Sequence, residues 1–185
     1  MIQPLLLQKA VDCLQKGQVI AYPTEAIYGL GCDPDDEDAL REILRLKRRP
    51  WQKGLILLAA DFAQLTPYVQ PLSDELQKTI FATWPGPVTW LLPAAAGVSR
   101  YLRGDSSDLA VRVTAHPLSA ALARQFGKPI VSTSANPSQA QPAKNARRVR
   151  AYFGNELGYI LNGALGGRDR PSEIRHALTG QCRRS

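Results

Sequence analysis

Two short stretches carry side chains suited to holding phosphate. One is Leu46-Lys47-Arg48-Arg49-Pro50 and the other is Ser132-Thr133-Ser134-Ala135-Asn136-Pro137. Lysine and arginine neutralise phosphate charge, while hydroxyl and amide groups suit phosphate oxygens and a ribose. A third stretch, Tyr22-Pro23-Thr24-Glu25-Ala26-Ile27-Tyr28-Gly29-Leu30-Gly31, adds a hydroxyl, a carboxylate and a phenol. Neither of the first two would carry much weight alone. Together, the three suit a site that holds a nucleotide beside a small amino acid.

The elements around these residues decide where they point. Leu40, Ile43 and Leu44 recur at helical spacing and Lys47 continues it, so Lys47 lies on the core-side edge of its helix. A cationic helix C-terminus would account for three basic residues through the dipole, but not for a lysine in the apolar register. Val19-Ile20-Ala21-Tyr22 reads as a short strand ended by Pro23. Thr24 and Glu25 then sit at a strand's carboxyl end, where α/β proteins bind ligands. A plain strand-to-helix connection with Thr24 as N-cap fits equally well. The Ser-Thr-Ser-Ala-Asn segment follows the strand Pro129-Ile130-Val131, and the same residues also make good turns. Leu109-Ala110-Val111-Arg112-Val113 alternates as a strand, with Arg112 on the face of Ala110 or at a strand end facing a cleft. An arginine there needs an anionic partner, either an internal Asp or Glu or a ligand carboxylate.

The remaining pattern is that of an α/β chain. Residues 4–16 form an amphipathic helix stopped at Gly17. The acidic run 33–38 reads as a helix cap rather than a metal site. Further strands are expected at 54–60, 88–92 and 159–161. Helices are expected after Ser73, from His116-Pro117 to Phe126, and from Asn145 to Phe153. His116 reads as an entry residue. Trp84 and Trp90 read as core, and Arg100, Arg103 and Asp105 as solvated. Residues 163–170 are expected to be mobile and to close over the site. Residues 173–177 fit an edge strand or a short helix, and the tail 181–185 is expected to be disordered.

At 185 residues, the chain is most simply one domain, residues 1–185, long enough for one core. No apolar run approaches the ~20 residues of a membrane span, and the N-terminus makes a poor signal peptide. Cys13, Cys32 and Cys182 are odd in number and widely spaced, as expected for reduced thiols in a cytoplasm. The net charge of +7 favours anionic partners such as nucleotide, nucleic acid or phosphate. Neither a Gly-x-x-x-x-Gly-Lys-Ser/Thr loop nor a Gly-x-Gly-x-x-Gly turn is present, so a bound nucleotide would need a less usual scaffold.

The segment Pro23-Thr24-Glu25-Ala26-Ile27-Tyr28-Gly29-Leu30-Gly31-Cys32 resembles the N-terminal signature of the YrdC/TsaC family. Lys47-x-Arg49, Ser134-x-Asn136, Trp84-Pro85-Gly86-Pro87-Val88-Thr89, Ala110-Val111-Arg112-Val113 and Pro171-Ser172-x-Ile174 match further motifs in order. The likeness runs from about residue 8 to about residue 180 and is to the short form of the family. It implies a twisted mixed parallel and antiparallel α/β sheet flanked by helices, with a deep basic cavity. It also implies synthesis of threonylcarbamoyl-AMP and pyrophosphate from L-threonine, bicarbonate and ATP, with Mg2+, to supply threonylcarbamoyladenosine in tRNA beside the anticodon. By the same resemblance, Lys47, Arg49, Thr133, Ser134 and Asn136 would bind ATP. Thr24, Tyr28, Arg112 and Ser132 would bind L-threonine. No protein-held metal and no general base is assigned. Expected partners are tRNA or double-stranded RNA and a downstream tRNA threonylcarbamoyl transferase complex, with no membrane and a cytoplasmic location. Two positions depart from the family. Ala26 stands where a second threonine is common, and Gln139 stands where a glycine usually follows Ser-x-Asn, which leaves that loop's conformation open. The rival reading is a non-catalytic RNA-binding module in ribosome or tRNA maturation, resting on the charge and on Arg147, Arg148 and Arg150.

Overall fold

The computed structural model describes residues 4–170 and 172–184, so Pro171 of the last motif lies outside the described residues. Helix α1 (Pro4–Gln15) buries Leu7, Ala10, Val11 and Leu14 and gives way to Gly17 at φ +70°. Strand β1 (Ile20–Pro23) turns through residues 24–27 and returns as antiparallel β2 (Tyr28–Gly31). The strand-to-helix connection is therefore corrected to a hairpin. Thr24 closes its turn, donating from both N and Oγ1 to the Ile27 carbonyl at 3.0 and 2.7 Å. Helix α2 (Glu37–Lys47) starts at Asp36, whose Oδ1 accepts from the Asp38 and Ala39 amides, so the acidic run does cap a helix.

The chain continues through β3 (Ile56–Ala59), α3 (Asp74–Phe81), β4 (Val88–Pro93) and a short α4 (Arg100–Arg103). It then forms β5 (Asp108–Val113), α5 (Pro117–Phe126), β6 (Ile130–Ser134), α6 (Ala146–Phe153), β7 (Tyr159–Ile160), β8 (Glu173–His176) and β9 (Cys182–Arg184). Ser73, His116 and Asn145 cap α3, α5 and α6 as side-chain acceptors. The strands make one mixed sheet in the order β7-β1-β2-β6-β3-β5-β4-β8-β9. The pairs β1–β7, β3–β5 and β4–β8 are parallel and the other neighbours antiparallel. Residues 182–184 pair with β8, so this part of the tail is strand rather than disordered.

Register sorts the two faces of the sheet, because cross-strand partners share a face and alternate residues switch it. Val131, Leu57, Val111 and Trp90 lie in one row across β6, β3, β5 and β4, and all four are buried in the larger apolar cluster with Leu40, Ile43 and Ile80 of α2 and α3. The opposite face has two parts. Ile130 and Leu58 pack beneath α1 and α5, against Leu7, Val11, Ala120 and Phe126. Beyond them the row Ser132, Ile56, Ala110 and Leu91 has no helix over it and forms the floor of a cleft. Arg112 pairs across the sheet with Leu58, at the seam between the covered and open parts.

The loop after β6 holds a local strain. Gln139 has φ +69°, the left-handed region, at the position where the resembled family carries glycine. A non-glycine residue pays about 1 kcal/mol or more there. Gln139→Gly should therefore gain roughly 0.5–1 kcal/mol, raising Tm by about 1–4 °C for a chain of this size. An unchanged or lower midpoint in thermal unfolding would mean that the loop accommodates glutamine without strain.

Candidate functional site

The cleft has a volume of about 450 Å³. The turn 24–29 forms one wall, residues 49–55 and 102–108 a second, and Arg168, Arg170, Ser172 and Ile174 a third. Arg49, Lys53, Arg103, Arg112, Arg168 and Arg170 line it against only two carboxylates, Glu25 and Asp108, so it attracts anions. Arg103 was expected to be solvated but contributes to the second wall, because the end of α4 lies against residues 52–55, where the Leu102 carbonyl accepts from the Leu55 amide at 2.7 Å. Among the described residues, no group of three or more His, Cys, Asp or Glu side chains is placed to hold a metal ion.

Seven of the nine expected site residues line the cleft: Thr24, Tyr28, Arg49, Arg112, Ser132, Thr133 and Ser134. Lys47 and Asn136 stand behind its wall. Lys47 is 3% exposed, as its apolar register predicts. Its Nζ donates to the Ser134 carbonyl and, at 3.0 Å, to the Asn136 carbonyl, with Ser134 Oγ at 3.4 Å. Burial, with the positive charge of Arg49 nearby, pushes Lys47 down to about 8, while the surrounding oxygens favour its ammonium form. Asn136 donates from Nδ2 to the carbonyls of Pro137 and Ala140 at 2.9 and 2.8 Å. Both side chains thus shape the 134–140 loop. Arg49 donates to the carbonyls of Gly54 and Lys53 at 3.1 and 3.2 Å and clasps the turn that forms the second wall.

Arg112 and Glu25 are each 7% exposed and form an ion pair at 3.2 Å. The pairing is off-axis: Glu25 Oε2 and Arg112 Nε are buried with no hydrogen-bond partner among the described residues. Glu25 Oε1 accepts from Thr114 Oγ1 at 2.6 Å. Thr114 Oγ1 is the donor, because an ionised carboxylate only accepts, and the same oxygen accepts in turn from the backbone N–H of His116 at 3.0 Å. Desolvation raises the Glu25 pKa, but Arg112 and the Thr114 hydroxyl outweigh it and hold the carboxyl below its ordinary value. Of the two partners left open for Arg112, an internal acid is present, and the guanidinium still faces the cleft.

The 162–168 segment is tied down rather than mobile. Tyr28 OH donates to the Gly163 carbonyl at 2.9 Å and accepts from its amide at 3.1 Å. The amides of Gly166 and Arg168 donate to the carbonyls of Thr24 and Glu25, at 3.1 and 3.0 Å. His116 Nε2 meets the Ala164 carbonyl at 3.0 Å and, since a carbonyl only accepts, carries the hydrogen. Gly166 lies so close that a Cβ there would sit 2.9 Å from Glu25 Cα. Of the glycines that suggested mobility, Gly166 serves this close approach, Gly163 packs against Leu118 and Pro23, and Gly167 takes φ +78°.

The Sua5/YciO/YrdC family, described as "Telomere recombination", matches residues 12–184. The chain belongs to this family. The Sua5/YciO/YrdC chain is 56% identical over 173 residues to a protein of Serratia proteamaculans named threonylcarbamoyl-AMP synthase, covering 92% of this chain and 91% of that one. It is 54% identical over 177 residues to a protein of the same name from Yersinia enterocolitica, covering 95% and 93%. Among solved structures, that of P. abyssi Sua5 complexed with L-threonine superposes with a TM-score of 0.86 at 30% identity, over 92% of this chain and 50% of that one. This chain therefore spans about half the length of the Sua5 chain it matches. E. coli YciO superposes with a TM-score of 0.79 at 25% identity, over 99% and 92%. The family's mixed sheet and helices are those described above.

Sequence reasoning put Glu25 in the third stretch of the site and Arg168 and Arg170 in the segment expected to close over it, without giving any of them a role, and it missed Thr114. Glu25 was legible as a carboxylate at a strand end. Its pairing with Arg112 was not, because 87 residues separate them in the chain. Thr114 follows directly on β5, two residues beyond Arg112.

Proposed function

We propose that the chain is an L-threonylcarbamoyladenylate synthase, which makes threonylcarbamoyl-AMP and pyrophosphate from L-threonine, bicarbonate and ATP. The observation that carries this reading is the near-full-length identity to proteins named for that activity, in a chain whose anion-attracting cleft holds a buried arginine. A carbamate oxygen of N-carboxythreonine attacks the ATP α-phosphorus and the bond to pyrophosphate breaks. Such a transfer needs alignment and charge neutralisation rather than a covalent nucleophile.

In this reading Arg49, Thr133 and Ser134 meet the nucleotide directly. Lys47 and Asn136 act from behind, holding the 134–140 loop in shape and adding positive charge. Arg112 takes the threonine carboxylate, while Thr24, Tyr28 and Ser132 line the amino-acid pocket. The cleft offers no spare set of carboxylates for a resident magnesium ion: Glu25 is engaged by Thr114 and Arg112, and Asp108 is 3.0 Å from His176. Magnesium enters as part of the ATP complex, held by substrate phosphates.

We take residues 1–185 as one domain and the reaction as cytoplasmic, in keeping with free Cys13, Cys32 and Cys182. No helix of the described residues is long and apolar enough to cross a membrane. The product then serves a tRNA threonylcarbamoyl transferase complex, and exposed Arg147, Arg148 and Arg150 offer contacts to RNA phosphates.

The test is pyrophosphate release from ATP and magnesium, with threonine and bicarbonate omitted in turn. The reading requires release that depends on both. Release that ignores threonine would mean a different acceptor. No release from folded protein, with salt-sensitive RNA binding, would favour the non-catalytic RNA-binding module.

A further inference from the structure

We propose that Glu25 sets the charge specificity of the amino-acid pocket: beside Arg112 it makes the site select a zwitterion over a simple carboxylate. The inference rests on the reading of Arg112 as the carboxylate clamp and deepens it by assigning the selection against anions.

The buried pair presents one positive and one negative charge 3.2 Å apart at the cleft wall. None of the hydrogen bonds found among the described residues uses the Arg112 guanidinium, and its Nε is buried without a partner. The guanidinium lines the cleft and is not saturated by protein acceptors, so it can still take a carboxylate. An arginine alone would bind any small carboxylate. The negative charge fixed beside it changes the selection. An incoming anion meets Glu25 as well as Arg112, and the two largely cancel. An α-amino acid places an ammonium next to its carboxylate and so presents the complementary dipole. In a site this buried, one uncompensated charge at a few ångströms weighs heavily.

Glu25 is held in this state by its surroundings. Thr114 Oγ1 donates its hydrogen to Glu25 Oε1 while accepting from the His116 amide. The carboxylate is thereby kept an acceptor and kept ionised. The charged and titratable groups around it are Arg112, His116 and the buried Tyr22 phenol, and the Arg168 amide donates to its carbonyl. Bound to the 162–168 segment through Gly166 and Arg168, the backbone of the turn has little freedom to carry Glu25 away.

The experiment compares equilibrium binding of L-threonine with that of 2,3-dihydroxybutyrate, the same skeleton without the amine, to wild type and to Glu25→Gln. Wild type should prefer threonine. In Glu25→Gln, threonine affinity should fall and dihydroxybutyrate affinity should rise, shrinking the preference roughly 10–100-fold. Glu25→Asp, which restores the charge, should keep the preference for threonine. Loss of a structural prop would weaken both ligands together, so two falls of equal size would overturn the inference. Wild type that binds no threonine would instead sink the synthase reading.

Should Glu25→Gln fail to fold, Thr114→Val gives the second reading. It leaves the carboxylate but removes one of the donors that help keep it ionised, so on acidification its preference for threonine should be lost at a higher pH than that of wild type. A preference in Thr114→Val lost at the same pH as that of wild type would also overturn the inference.

Discussion

Arg112→Ala should abolish threonine-dependent pyrophosphate release and cost about 3–5 kcal/mol of stability, because it strands the buried Glu25 carboxylate without its cation. The two losses have different origins and can be separated. Adding Glu25→Gln to Arg112→Ala removes the stranded charge, so the double variant should recover part of the lost stability while turnover stays absent. Chemical denaturation gives the stability terms, and the coupling between the sites should be strongly non-additive. Turnover that survives in Arg112→Ala would end the carboxylate-clamp assignment. A double variant no more stable than Arg112→Ala would show that the pair is not the source of the stability loss.

Lys47→Met is expected to have the second largest effect, through the loop that the ammonium holds. The substitution keeps the apolar stem but leaves the Ser134 and Asn136 carbonyls without their shared donor, a cost of about 1–3 kcal/mol. ATP affinity should drop by about tenfold or more, since both local charge and loop shape change, while threonine binding in the absence of nucleotide should hold. The pH dependence carries a sign that tests the same picture. Lys47 is lowered to about 8 in the fold from 10.5, so across that interval the unfolded chain binds more protons than the folded one. Its contribution to stability therefore rises with pH between about 8 and 10.5. Nucleotide affinity should move the other way, because the ammonium loses its charge in the fold over the same range. Lys47→Met should flatten both trends. A variant that retains wild-type ATP affinity would remove Lys47 from the nucleotide assignment.

Much of this site is written in local pattern. Lys47 announces itself because helical spacing puts it with Leu40, Ile43 and Leu44, and an amine in that register must find oxygen. Arg112 announces itself because an arginine in an apolar strand must find an anion. Local pattern names the need without naming the partner. The Lys47 partners are backbone carbonyls, which every residue has and no sequence motif marks. The Arg112 partner lies in a distant turn and is brought close only by the pairing of β6 with both β2 and β3. Strand β2 escaped notice because Tyr28-Gly29-Leu30-Gly31 is short and half glycine. Gly31 allows close approach: a Cβ on it would lie 2.6 Å from the Val131 carbonyl. Residues 163–170 looked mobile for the same reason. A glycine used for close contact and one used for freedom look alike until the neighbour is known.

The cleft draws its walls from almost the whole span of the described chain, from Thr24 to Ile174. During synthesis the residues of the third wall are made last among these, and β8 must still pair with β4 to seat them. A nascent chain held on the ribosome before that point carries Lys47, Arg112 and Ser134 without an enclosed site. Ligand capture is thereby a property of the finished fold. Threonine or ATP added to a translation reaction should protect released chains from protease and leave stalled shorter ones as vulnerable as before.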